Sequence, residues 1–223
     1  MSIKRIVLQA LSVVLILAGV GLLGFNFFGT QVTAGGVVEQ HRGGHFSIPL
    51  VRPKDRPSGG TLPGIRVPED KTLHLTIPAM SRVRDAVVPT ARSTNGQALN
   101  NHVAIHIKGT GFPWQKGANV YIAGHRLGYV GTRSLLAFYD LNNLKKGDIV
   151  YVTDANGNRY IYRVYRKFAV YPTETWVTRP VRGKSILTLQ SCTLPNYTER
   201  LIVRAQLIRT VRSQDTHAED SAA

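Results

Sequence analysis

The chain has 223 residues and a single cysteine, Cys192, in the run SILTLQSCTLPN at residues 185–196. A lone cysteine cannot close an internal disulfide. Three roles are left: a small buried hydrophobe, a link to a second molecule, or a reactive thiol. Composition by itself favours burial, but the local pattern points elsewhere. Along a strand the side chains alternate, so Leu187, Leu189 and Ser191 share one face while Thr188, Gln190 and Cys192 share the other. With the leucines turned to the core, the cysteine is expected on the more polar side, at the strand's end. A thiol placed there suits nucleophilic catalysis, which requires positive charge to hold the thiolate and a general acid or base nearby.

Seven histidines could serve as that acid or base: His41, His45, His74, His102, His106, His125 and His217. Of these, His125 ends a predicted strand after VYIAG, and Gly124 before it is expected to let the backbone turn tightly, as a rigid mount for a catalytic side chain. His102 and His106 lie four apart, on one face if their segment is a strand, but a metal site there has no evident third ligand. They read as ordinary surface or packing histidines, so neither a metal nor a cofactor is expected. For positive charge, RLIVRAQL offers Arg200 and Arg204 on one strand face, roughly 13 Å apart. Parity does not separate the two arginines. Arg200 returns beside the thiol if TLPNYTE makes a hairpin-like connection, and there it could offset oxyanion charge.

The elements that must position these groups are short. LHLTIPA at Leu73, ANVYIAGH at Ala118, SILTLQSC and RLIVRAQLIRT read as strands, and DIVYVTDANGNRYIYRVYRKFAVY reads as a hairpin turning at Asn156-Gly157. SLLAFYDLNNLKKGD holds a short helical turn. Many short strands in one small domain indicate an all-β barrel or sandwich. Around it the expected organisation is a cytoplasmic N-terminus over residues 1–5, a transmembrane anchor over 6–28, and a flexible extracytoplasmic linker over 29–69. The catalytic domain is placed at 70–212 and a disordered tail at 213–223. The uncharged apolar run Ile6 to Phe28 is long enough to span a bilayer, and Lys4 and Arg5 before it orient the rest outward. The competing reading is a signal peptide cleaved near VTA at Val32 to Ala34. Lys and Arg number 28 against 13 Asp and Glu, a formal charge of +15. Nucleic acid and a bacterial envelope are both anionic, and export selects the envelope.

Taken together, the motifs resemble those of the sortases, membrane-anchored cysteine transpeptidases of Gram-positive envelopes. TLQSC at Thr188 to Cys192, NVYIAGHR at Asn119 to Arg126 and ERLIVRAQL from Glu199 are similar to the family's cysteine, histidine and arginine motifs, in the family's order. Ser191 stands where threonine is usual, and the wording is most similar to class E enzymes of actinobacteria. The resemblance implies a closed eight-stranded β-barrel with short helical turns, behind one transmembrane helix. It also implies a two-step exchange. Cys192 would attack a C-terminal sorting signal of LAxTG or LPxTG type between Thr and Gly, forming a thioester. His125 would protonate the departing amine and later deprotonate the incoming one, and Arg200 would orient substrate and offset oxyanion charge. The implied partners are secreted proteins bearing sorting signals, the amine of a peptidoglycan precursor (lipid II) and the membrane, with no nucleic acid. Three rivals stand beside this reading. An L,D-transpeptidase would want a glycine before the cysteine and an arginine two after it, where Ser191 and Leu194 stand. A hydrolase would give the same thioester to water. A non-catalytic basic domain bound to the envelope would not need Cys192 at all.

Overall fold

The structure, a computed structural model, describes residues 59–215. The predicted anchor, most of the linker, the tail from 216 onward, and His41, His45 and His217 lie outside the described residues. Nine strands form one sheet: β1 (Leu73–Thr76), β2 (Ala86–Val88), β3 (Thr90–Ala91), β4 (Ile105–Ile107), β5 (Asn119–Ala123), β6 (Ile149–Asp154), β7 (Arg159–Val170), β8 (Ile186–Cys192) and β9 (Arg200–Val211). Their order is β2-β1-β6-β7-β9-β8-β5-β4-β3. One short helix, α1 (Gly96–Asn101), and 3-10 turns at Tyr139–Asn143 and Thr175–Thr178 complete the elements used below.

The all-β expectation agrees with this architecture, but the count and the closure differ from it. The sheet has nine strands rather than eight, and the barrel is nearly closed, with no ladder between its edge strands β2 and β3. Pro89 supplies the physical reason. It is the one residue between β2 and β3 and has no N–H to donate to a ladder. The chain therefore leaves β1 at Val88 and joins β4 at Thr90, while the Pro89 carbonyl accepts from the His106 N–H at 2.9 Å. A single bent segment thus supplies both edge strands, which leaves the barrel nearly closed.

The hairpin between β6 and β7 turns at Asn156-Gly157 as the sequence indicates, with Gly157 at φ 82°. Asp154 organises it. Its buried carboxylate accepts from the N–H groups of Asn156 and Asn158, from the Asn158 side-chain amide and, at 2.8 Å, from the Tyr160 hydroxyl. Such a filled acceptor set holds a charge out of water without leaving it unpaired. The domain also begins earlier than residue 70. The Leu62 N–H donates to the Trp114 carbonyl at 2.7 Å, the Lys116 N–H donates to Gly60, and Leu62 and Ile65 pack against the core. The final residues of the expected linker are therefore part of the folded unit.

Two apolar layers flank the central strands. The barrel interior holds Leu75, Ile122, Phe138, Val152, Leu187, Leu189 and Val203. A second cluster of Leu99, Ile105, Ile107, Tyr121, Ala123, Val177 and Ile202 covers the outer face of β4, β5, β8 and β9. Every residue of β8 is buried as a result. The polar side expected for this strand faces a second protein layer.

Candidate active site

The register of three neighbouring strands assembles the candidate groups. β8 and β9 run antiparallel, with Cys192 directly opposite Arg200. Opposed residues project to the same face, with Cβ atoms about 5 Å apart. The connection TLPNYTE is the hairpin-like turn that this pairing requires. The Thr193 N–H donates to the Glu199 carbonyl at 3.1 Å, and the Glu199 N–H donates to the Thr193 hydroxyl at 3.3 Å. Arg204 is opposite Thr188, one turn of the alternation further down and then another. Register thus separates the two arginines that parity left equivalent.

On the other side, β5 runs parallel to β8 with Ala123 level with Gln190, and the Gly124 N–H donates to the Gln190 carbonyl at 3.0 Å. His125 and Cys192 each lie two residues beyond that level pair. Both therefore lie where two adjacent chains leave the sheet. Register pairs Cys192 with Arg200, and the chain carries His125 just past the end of β5, alongside the end of β8. Gly124 mounts the histidine, though by giving space rather than a special backbone angle. A Cβ there would meet the Val103 carbonyl oxygen at 2.9 Å and the Phe138 ring at 3.0 Å. The His125 carbonyl accepts from the Phe138 N–H at 2.9 Å, fixing the chain on leaving the strand.

The site is more enclosed than the sequence pattern implies. Cys192 lies on the expected face but keeps 5% of its surface exposed, His125 9% and Arg200 2%. The whole of β8, which Cys192 ends, is buried, and Arg200 opposite it opens a run of buried residues on β9. Burial pushes the Cys192 thiol pKa up, because the thiolate loses water; the guanidiniums of Arg200 and then Arg126 oppose the rise. Arg200 donates from one nitrogen to the carbonyls of Tyr197, at 2.9 Å, and Glu199, at 3.0 Å. These bonds orient the guanidinium from the loop that follows the thiol.

His125 has a partner that the sequence did not reveal. Its Nε2 donates to Asn100 Oδ1 at 2.9 Å, from α1. With Nε2 carrying that proton, exchange of a further proton falls to Nδ1. The ring also meets Tyr129 edge to face, with centroids 5.4 Å apart. Helix α1 is six residues long, and an Asn-Asn pair in a loop-like stretch carries no periodic signal, so Asn100 had nothing to single it out. Arg126 was legible only as part of the NVYIAGHR wording.

Arg204 occupies a different setting. Its Nη2 donates to the Val177 carbonyl at 3.1 Å, and its guanidinium lies 5.2 Å from the Trp176 ring and 5.5 Å from Phe168. It fastens the Thr175–Thr178 turn over the sheet. The histidine pair His102 and His106 falls on two different elements: His102 caps α1, bonded to the Ala98 carbonyl, and His106 sits buried in β4. The ring nitrogens of His106 are engaged by Thr90, Thr110 and Gly111, and burial holds its pKa down to about 4. Among the described residues, no group of three His, Cys, Asp or Glu side chains is arranged to hold a metal ion.

A sequence profile of the sortase domain matches residues 75–208, more than half of the chain. The chain belongs to the sortase family. Over 96 residues it is 41% identical to sortase A of Streptococcus agalactiae serotype III (strain NEM316), a stretch covering 42% of this chain and 38% of that relative. The chain thus matches well under half of that relative's length. Among solved structures it is similar to sortase C-1 from Actinomyces oris, with a TM-score of 0.53 and 28% identity over 63% of this chain and 76% of that one. It is also similar to a lid mutant of sortase A from Corynebacterium diphtheriae, with a TM-score of 0.53 and 27% identity over 68% and 77% of the two chains. The matched residues 75–208 include Cys192, His125 and Arg200.

Proposed function

We propose that this chain is a sortase-type cysteine transpeptidase in which Cys192, His125 and Arg200 do the chemistry. The observation that supports the reading is the pairing of Cys192 with Arg200 across β8 and β9, with His125 just past the end of the neighbouring β5. The Cys192 thiol gives its proton to His125, and the resulting thiolate attacks the carbonyl carbon before the glycine of a sorting signal. The carbonyl oxygen takes up negative charge beside Arg200, whose guanidinium the Tyr197 and Glu199 carbonyls hold in place. As the tetrahedral species collapses, the C–N bond breaks, the departing amine takes a proton from His125, and a thioester remains on sulfur. An incoming amine then loses a proton to His125 and displaces the thiol, regenerating Cys192.

The finer assignments belong to the same proposal. The segment 6–28 anchors the chain in the cell membrane, single-pass, with the catalytic domain outside. The amine comes from a cell-wall precursor, and the wording of the histidine and arginine motifs favours a class E enzyme acting on LAxTG over LPxTG. The test uses the full-length chain in detergent micelles, incubated with LAxTG and LPxTG peptides and a nucleophilic amine. Mass spectrometry should find an acyl adduct on Cys192 and a ligated peptide product, both lost in Cys192→Ala. Folded protein that forms no adduct with any sorting peptide would refute the proposal.

A further inference from the structure

Arg126 is the one buried cation beside the thiol that the mechanism above leaves without a task. It follows His125 directly and is 7% exposed, and its Nε is buried with no hydrogen-bond partner among the described residues. Its guanidinium rests 5.6 Å from the ring of Tyr139, at the start of the Tyr139–Asn143 turn. Keeping a guanidinium out of water with an empty donor is unfavourable unless a negative charge comes to it. The resting site offers little of that kind. The groups whose charge reaches Arg126 are the hydroxyls of Tyr139 and Tyr197, the carboxylate of Asp140, and Cys192 itself. The groups whose charge reaches the sulfur, in turn, are Arg200 from β9, Arg126 from the loop after β5, where His125 precedes it, and Tyr197 from the loop between β8 and β9.

We propose that Arg126 is a positioning residue acting through Cys192: a second guanidinium, besides Arg200, that stabilises the thiolate and so sets how much of the sulfur is nucleophilic at neutral pH. The inference deepens the transpeptidase reading and rests on it for its importance. Its division of labour follows from the contacts. Arg200 is fixed by two backbone carbonyls and paired with Cys192 across the ladder, so it serves the oxyanion as well as the sulfur. Arg126 lies against the Tyr139 ring, and its buried Nε has no partner in the resting site. Both guanidiniums oppose the burial that raises the thiol pKa.

The test reads thiol ionisation without any peptide. Because Cys192 is the only cysteine in the chain, iodoacetamide alkylation of the full-length protein reports one site. The thiolate displaces iodide, so the rate against pH follows the ionised fraction. Arg126→Met keeps the stem against Tyr139 and removes the charge; Arg126→Lys keeps the charge. The midpoint of the Arg126→Met profile should move to higher pH, with alkylation below the midpoint slowed roughly three- to tenfold, while Arg126→Lys stays close to wild type. Native near-UV circular dichroism qualifies each variant, and Arg126→Gln replaces the methionine variant if that one is not native. Coincident profiles for all variants would overturn the inference, as would an equal shift in Arg126→Lys, since that would make packing rather than charge the cause. A wild-type protein that alkylates normally but acylates with no sorting peptide would count against the proposed function, not against this result.

Discussion

Replacing Arg200 and Arg204 by alanine, one at a time, sets the register of the sheet against the chemistry assigned to it. Arg200 is directly opposite Cys192, and the role proposed for it requires its guanidinium to come within roughly 5 Å of the developing oxyanion. A unit charge at that distance, at an effective dielectric constant near 20, is worth about 3.3 kcal/mol, or roughly 250-fold in rate. This agrees with the range of about 10²–10³ seen when one oxyanion donor is removed. Arg204 is four residues further along β9, about 13 Å away. There the same relation gives about 1.3 kcal/mol before salt screening, less than about tenfold in rate. Its loss should instead loosen the Thr175–Thr178 turn, because the bond to Val177 and the contacts with Trp176 and Phe168 all go. The assay is the single-turnover rate of acyl-enzyme formation on Cys192 by quenched-flow mass spectrometry, with thermal melts confirming that both variants are folded at the working temperature. Equal losses, or a larger loss for Arg204→Ala, would refute both the register argument and the assignment of Arg200.

Gly124→Ala should displace His125, because the added methyl meets the Val103 carbonyl and the Phe138 ring at or below 3.0 Å. We expect a loss of about 1–3 kcal/mol in stability, read by denaturant melts, together with acylation at least about tenfold slower. Asn100→Ala removes the acceptor of His125 Nε2 and should slow acylation about tenfold with little change in melting temperature; an unchanged rate would show that the bond does not orient the ring. His106 gives a pH dependence of stability. Its folded pKa is depressed from 6.5 to about 4 by burial, so the unfolded chain takes up a proton that the folded one refuses. Stability should be fully present above about pH 6.5 and fall by about 1.4 kcal/mol per pH unit down to about pH 4. Urea melts across that window should show the slope, and His106→Gln should flatten it.

What the sequence disclosed follows from which physical signals are local. Alternation and the Asn156-Gly157 turn found β1 and β5 to β9, because each of these strands carries several residues of period-two pattern. β2, β3 and β4 are three, two and three residues long, too short for any period, and Pro89 divides the first two, which form the edges of the nearly closed barrel. The thiol's face followed from parity, whereas the burial of the whole of β8 is a tertiary property that no local pattern carries. The three motif residues were visible because chemistry restricts each to one residue type. Asn100 and Arg126 were not, since their roles depend on where α1 and the loop after β5 come to rest. The same distinction explains why Arg200 and Arg204 read alike in sequence and differ in structure. They share a strand, a face and a charge, and only the pairing of β9 with β8 puts one beside sulfur and the other beneath an aromatic pair. The chemical identity of this site is therefore written along single strands, while its electrostatics are written between them. That second layer sets the competition at Cys192 between the burial that suppresses its thiolate and the guanidiniums that favour it.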